Sequence, residues 1–134
     1  MFIFLLGCGK TSDEILVDNG QKIIKIKVEI ADDDLERQQG LMFRSFLEEN
    51  GGMLFIFDDE KKHDFWMKNT LIPLDMIFIN ENKKIVDIKY AQPCEKDPCE
   101  LYEPLESAKY VLEVNGNFTI ENSIKIGDKF ILNN

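Results

Sequence analysis

Between Gly51 and Asp75 the chain runs through short apolar stretches with polar side chains set inside them, and this pattern limits the folds open to it. Residues 53–57, Met-Leu-Phe-Ile-Phe, are a continuous apolar run bounded by Asn50-Gly51-Gly52, a turn, and by the charged residues 58–62, a solvated turn. Such a run between turn signals predicts a buried strand. Phe65-Trp-Met67 reads as a second short strand facing the first. Pro73 bars a central ladder position, so residues 68–73 are expected to form a loop. Lys68, Asn69, Thr70 and Asp75 are embedded in this apolar sequence. A polar group placed that way must find a partner when buried, or be held for a ligand.

Residues 21–31 alternate, with Ile24, Ile26, Val28 and Ile30 on one side and Lys25, Lys27 and Glu29 on the other, which predicts a half-buried strand. Asp32-Asp-Asp-Leu-Glu36 supplies helix N-caps, with Asp33 and Glu36 at capping-box spacing and acids at the positive end of the dipole. Gly40 stops that helix after roughly two turns. Leu74–Ile79 and residues 84–90 flank Asn80-Glu-Asn-Lys83, the pattern of a β-hairpin. Residues 91–107 carry Pro93, Pro98 and Pro104 and have no periodicity. Residues 110–114 read as a strand, Asn115-Gly116 as a turn, and residues 118–123 fit either a helical turn or a strand. Ile126-Gly-Asp128 turns the chain into a last strand, Lys129–Leu132. Strands at short spacing with one or two brief helices predict a mainly β (α+β) domain, a compact barrel or sandwich. Closing the sheet manages its edges better than leaving them open.

A chain of 134 residues supports a single core, and 44% hydrophobic with 31% charged content is that of a folded protein. The formal charge of −9 comes from 25 acidic against 16 basic side chains, with no basic stripe, which excludes nucleic acid as an expected partner. Met1-Phe-Ile-Phe-Leu-Leu-Gly-Cys8 is apolar but far short of the roughly 20 residues that span a bilayer. Leu5-Leu6-Gly7-Cys8 resembles a bacterial lipobox, whose Cys is lipidated and becomes the new N-terminus. Cys8 is therefore the expected lipidation site, residues 9–20 a polar tether, and residues 21–134 the domain. This places the protein outside the cytoplasm, membrane-anchored in the cell envelope at the periplasm or cell surface, with the several acyl chains that stable attachment needs.

Five motifs follow one another: Arg37-x-x-Gly40-Leu-Met-x-Arg44, Gly52-Met-Leu-Phe-x-Phe57, Phe65-Trp-Met-Lys-Asn-Thr-x-Ile-Pro-Leu-Asp75, Tyr110-Val-Leu-Glu-Val-Asn115 and Gly127-Asp128. Together they resemble the DUF192 family, small prokaryotic domains of no assigned activity, over residues 24 to 132. The resemblance implies a single barrel-like β domain, often found in exported proteins, and supplies no catalytic residues. Exported members often carry a Cys pair where this chain has Cys94 and Cys99, which implies a disulfide in an oxidising compartment. Thiol redox catalysis typically uses the tighter Cys-x-x-Cys spacing.

Two readings of Arg44, Lys68, Asn69, Thr70 and Asp75 stay open at this level. In the structural one, Arg44 and Asp75 form a buried ion pair and residues 68–70 bond the local backbone ahead of Pro73. In the functional one they surround a pocket at the mouth of the barrel, with Met42, Phe55, Trp66 and Met67 as apolar walls. Trp beside Asn, Asp and Thr suits a carbohydrate or another small polar ligand, and no cofactor is expected. The rival is a module that contacts another envelope protein. Catalysis finds no assembled machinery: His63, the single His, stands in a charged turn with no Ser or Cys beside it in sequence. Met42, Met53, Met67 and His63 are soft or borderline ligands for Cu(I). Methionine is also ordinary core filling, and Trp66 and Met67, as strand neighbours, face opposite sides.

Overall fold

The computed structural model describes residues 13–132; the lipobox-like Leu5-Leu6-Gly7-Cys8 and residues 9–12 of the expected tether lie outside the described residues. In chain order the elements are β1 (Asp13–Asp18), β2 (Ile23–Ala31), α1 (Asp34–Gln39), β3 (Gly51–Lys61), β4 (Leu74–Ile79), β5 (Ile85–Ala91), β6 (Ala108–Asn115), α2 (Phe118–Glu121) and β7 (Lys129–Leu132). They form one seven-stranded sheet in the order β5-β4-β6-β3-β2-β1-β7, curled into a half-barrel. All pairings are antiparallel except β2 with β3. The two edges are stitched at one end by a bridge between Lys84 and Lys129. There Ile85 N–H donates to the Asp128 carbonyl at 2.9 Å, and Phe130 N–H to that of Lys83 at 2.8 Å. The mainly β, barrel-like expectation holds, and the seam protects part of the edge backbone.

Both faces of the central strands are covered. Ile15, Val17, Ile26, Val28, Leu54, Ile77, Leu112, Val114 and Phe130 fill the inner face. Leu41, Met53, Phe55, Met67, Leu74, Met76, Phe78 and Val111 form a second core on the outer face. Every residue of β4 is therefore buried, the reason it is apolar throughout except at Asp75.

Several local expectations are corrected. Residues 13–18, expected within the tether, are β1: Ile15 and Val17, on either side of the half-buried Leu16, are fully buried between β2 and β7. Gly51 and Gly52 are strand, not turn, and β3 runs on through the charged residues to Lys61, re-engaging β6 at Ala108 after a register shift. Phe65-Trp-Met67 is not a strand facing β3; only Phe65 bridges, to Tyr102. Residues 118–123 resolve as the helical turn α2.

The Arg44–Asp75 ion pair is overturned as well. Arg44 makes a two-pronged pair with Glu29, Nη1 to Oε2 at 2.6 Å and Nη2 to Oε1 at 2.8 Å. That hydrogen bonding holds the Glu29 carboxyl below its usual range. Asp75 lies in the same β4 face row as Ile77 and Ile79, facing α2. Its carboxylate accepts from the backbone of Asn117 at 3.0 Å and of Thr119 at 2.9 Å, and from Thr119 Oγ1 at 2.6 Å. Asn117, the N-cap residue, offers no side-chain cap of its own, so Asp75 supplies it from β4. The expected α1 cap is present: Asp33 accepts from Glu36 N–H at 2.8 Å, and Gly40 closes the helix at φ 49°. Cys94 and Cys99 are disulfide-bonded.

Asp75→Ala strands three donors at a buried helix start and is expected to lower stability by about 3 kcal/mol in urea unfolding. Asp75→Asn, which keeps one acceptor, loses less. A midpoint unchanged in the alanine variant would refute the capping role.

Candidate ligand-binding pocket

Alternation along β6 sends Tyr110, Leu112 and Val114 inward and leaves Val111 and Glu113 on the outer face. Cross-strand register sets Glu113 between Met53 of β3 and Met76 of β4, one row from Phe55 and Phe78. Gly52 permits the close approach of β3 here, since a Cβ at that position would lie 2.6 Å from the Glu113 carbonyl oxygen. Glu113 is 4% exposed, and no hydrogen bond or ion pair from the described residues reaches its carboxyl. No sealed side-chain oxygen or nitrogen among the described residues lacks a partner, so the unpartnered Glu113 oxygens open on a cavity. Burial with no compensating charge pushes this carboxyl up to about 8.

The cavity has a volume of about 320 Å³. Leu41 and Met42, just after α1, form one wall, Phe55 and Phe57 of β3 another, and Phe65, Trp66 and Leu101 a third. The rings pack edge to face, Phe55 to Phe65 at 5.0 Å and Phe57 to Phe65 at 6.0 Å between centroids. Arg37 sits at the rim with Nη1 donating to the Ile56 carbonyl at 2.6 Å and Nη2 to Asp34 at 3.0 Å. Its guanidinium carbon lies 5.3 Å over the Phe57 ring. Two loops are zipped together beside the rim by Phe43 N–H donating to the Asn69 carbonyl at 2.7 Å. Both residues have positive φ, 66° and 57°. For Phe43, 68% exposed, that conformation is strained by roughly 1–3 kcal/mol.

The expected site residues do not all converge. Met42, Phe55, Trp66 and Thr70 line this pocket. Arg44 lies on a separate open groove with Glu29, and Met67 is buried in the outer core. Lys68 Nζ stands 5.6 Å over the Trp66 ring and 3.4 Å from Asp97, so it backs the pocket wall rather than lining it. Asn69 holds its turn, Thr70 Oγ1 bonds the Lys68 carbonyl at 3.3 Å, and Asp75 caps α2. His63 stacks on Phe57 at 3.7 Å, its Nε2 3.2 Å from the Asp59 carbonyl oxygen, and Met53 and Met67 sit in the outer core. Among the described residues, the groups of three His, Cys or acid residues close enough to share an ion are Cys94-Asp97-Cys99, whose sulfurs are bonded to each other, and Asp32-Asp33-Glu36, at the α1 cap. Sequence reasoning missed Glu113, Arg37, Phe57, Phe65 and Leu101. The signal for Glu113 was present: an acid inside Tyr110-Val-Leu-Glu-Val, the same anomaly that singled out Asp75.

A curled β half-barrel with a loop-covered outer face and a pocket floored by a carboxyl defines the class of this protein. It belongs to the DUF192 family, described as "Uncharacterized ACR", whose model matches residues 15–132. A UPF0127 protein of Pyrococcus furiosus is 30% identical over 113 residues, covering 81% of this chain and 88% of its own. A second, from Pyrococcus abyssi, is 32% identical over 108 residues, covering 77% and 83%. The crystal structure of a proposed transcription regulator from Sinorhizobium meliloti superposes with a TM-score of 0.85 at 30% identity, over 92% of this chain and 95% of that one.

Glu113 gives the pocket a pH signature. Its folded-state value near 8 lies above the ordinary 4.5, so its contribution to stability is fully present below about pH 4.5 and lost as pH rises through 8. Arg37 and Asp64 at the pocket, and Glu29 and Lys89 in the same cross-strand row, are the charged groups nearest in register or lining. The stability of the native chain minus that of Glu113→Gln should fall by a few kcal/mol between pH 5 and 8. A difference that stays flat across this range would show the carboxyl to be ionised throughout.

Proposed function

We propose that this protein is a small-ligand-binding domain whose site is the Glu113 pocket, carried outside the cytoplasm on a lipid tether. The observation that carries the reading is a buried carboxyl with no partner among the described residues, opening on an aromatic cavity of a size that fits a small molecule. A carboxyl satisfied by neighbours would be structure; this one is left for a ligand. The half-exposed Trp66 adds apolar surface to the lining. The pocket presents no nucleophile paired with a base, and we assign it no reaction. The net charge of −9 argues against nucleic acid as the ligand.

Export is supported by the Cys94–Cys99 disulfide, which suits an oxidising compartment, and by the lipobox-like Leu5-Leu6-Gly7-Cys8. Metabolic labelling with radioactive palmitate should mark the native chain and not Cys8→Ser; equal labelling of both would end the tether proposal. A second reading, contact with another envelope protein, draws on Phe43, Phe46, Leu71 and Leu101, all strongly exposed.

Amide NMR titration with a small-molecule fragment library separates the two. Ligand binding predicts shifts confined to Leu41, Met42, Phe55, Phe65, Trp66 and Glu113. Trp66→Ala, 46% exposed in the native chain, should keep the fold and weaken that binding about tenfold. A library in which no fragment perturbs these residues would refute the pocket reading.

A further inference from the structure

We infer that the pocket selects an organic cation, a protonated amine or quaternary ammonium group, which Glu113 pairs inside a cage made by Phe55, Phe65 and Trp66. The inference rests on the binding reading above and names the ligand chemistry of that same site.

Four features of the pocket lead there. The floor offers one carboxyl among several rings, whereas a sugar needs many converging donors and acceptors. Thr70 Oγ1 is already spent on the Lys68 carbonyl, and Arg37 on Asp34 and the Ile56 carbonyl. The wall already accepts cations: Arg37 lies over Phe57 at 5.3 Å and Lys68 over Trp66 at 5.6 Å. Formal charge at the pocket is negative, since Asp34 neutralises Arg37 and leaves Asp64 unmatched among the described residues, and Glu113 adds a second negative charge once it ionises. The −9 of the whole chain extends that field outward and favours the approach of cations.

The energetics give selectivity. Ionising Glu113 with no counter-ion places a lone charge in a buried, largely apolar site, and that burial, pushing the carboxyl up to about 8, favours its protonated form near neutrality. A cationic ligand supplies the missing charge, so the carboxyl gives up its proton to solvent as the ligand enters. A neutral ligand of equal shape cannot compensate that ionisation. Binding of the cation is therefore coupled to proton release, and its affinity rises with pH until Glu113 is ionised in the free protein. Arg37, Asp64, Glu29 and Lys89 are the other charged groups around Glu113 on the pocket rim and in its cross-strand row, and Arg37 and Lys89 have acidic partners of their own.

The test is calorimetry on the full chain with choline and butylammonium, against 3,3-dimethylbutan-1-ol, the neutral carbon analogue of choline, and against glucose. Repeating it in buffers of different ionisation enthalpy reads the released proton. The expected result is cation binding with proton release at pH 7, at least tenfold weaker binding of the neutral analogue, and a similar loss in Glu113→Gln. Equal affinity for the alcohol overturns the inference without using any variant, as does unchanged cation binding by Glu113→Gln. Failure of both cations at millimolar concentration overturns it too. If glucose or the alcohol then shifts the pocket amides, the binding reading survives and only the cation assignment falls. If nothing shifts them, both fall.

Discussion

Burial of both faces of β3, β6 and β4 is the constraint on which the rest of the structure depends. The inner face is covered by the curl of the sheet itself, through β1, β2, β7 and α2. The outer face has no second sheet to meet, so it is covered by irregular chain: Leu41 and Leu47 after α1, Phe65 to Ile72 after β3, and Cys94 and Tyr102 after β5. Loops tile a flat apolar surface less completely than a packed layer, because each must keep its own backbone hydrogen-bonded. The cavity over Glu113 is where those coverings meet. It follows from covering a two-faced strand set with turns.

Two buried acids on adjacent rows of this sheet show how differently the fold treats the same functional group. Asp75 is 2% exposed and receives three hydrogen bonds from the start of α2. Glu113, as deeply placed, receives none from the described residues. Asp75 points to the side where a helix terminus arrives with unsatisfied N–H groups, so the carboxylate and the helix start solve one another's problem. Glu113 points to the side where methionines and aromatic rings arrive, and none of these donates a hydrogen bond to it. Location within the sheet is nearly the same; the chemistry of the covering element decides which acid is structural.

Much of this fold was legible in the sequence because period-two alternation and short apolar runs report burial directly. β2, β4, β5 and β7 follow from them nearly residue by residue, and the α1 cap follows from Asp33 and Glu36. What was not legible depends on partners distant in sequence. β1 carries too few apolar residues to announce itself; Ile15 and Val17 mean strand only because β7 returns more than a hundred residues later to cover them. The charged end of β3 reads as turn but is held by β6 across a bulge. The candidate site was half visible: Met42, Phe55, Trp66 and Thr70 do meet, but Arg44, Lys68, Asn69 and Asp75, chosen because they interrupt apolar sequence, are each matched to a bond or turn elsewhere. Embedding a polar residue in apolar sequence identifies those that must be satisfied; it does not say whether the fold satisfies them. Glu113 met the same criterion, and no described residue satisfies it.

That distinction bears on why a carboxyl stands at 113 at all. An apolar side chain there would continue the Met53–Met76 row and avoid the penalty of an unpaired acid in a dry environment. A few residues away in space, Phe43 holds a backbone conformation that a glycine would occupy without strain. Each choice lowers stability, and neither is offset by a bond that the Glu113 carboxyl or the Phe43 ring makes to another described residue. Destabilising choices at and beside one cavity fit the proposed binding site, whose groups would be held rigidly and left unsatisfied until a ligand arrives.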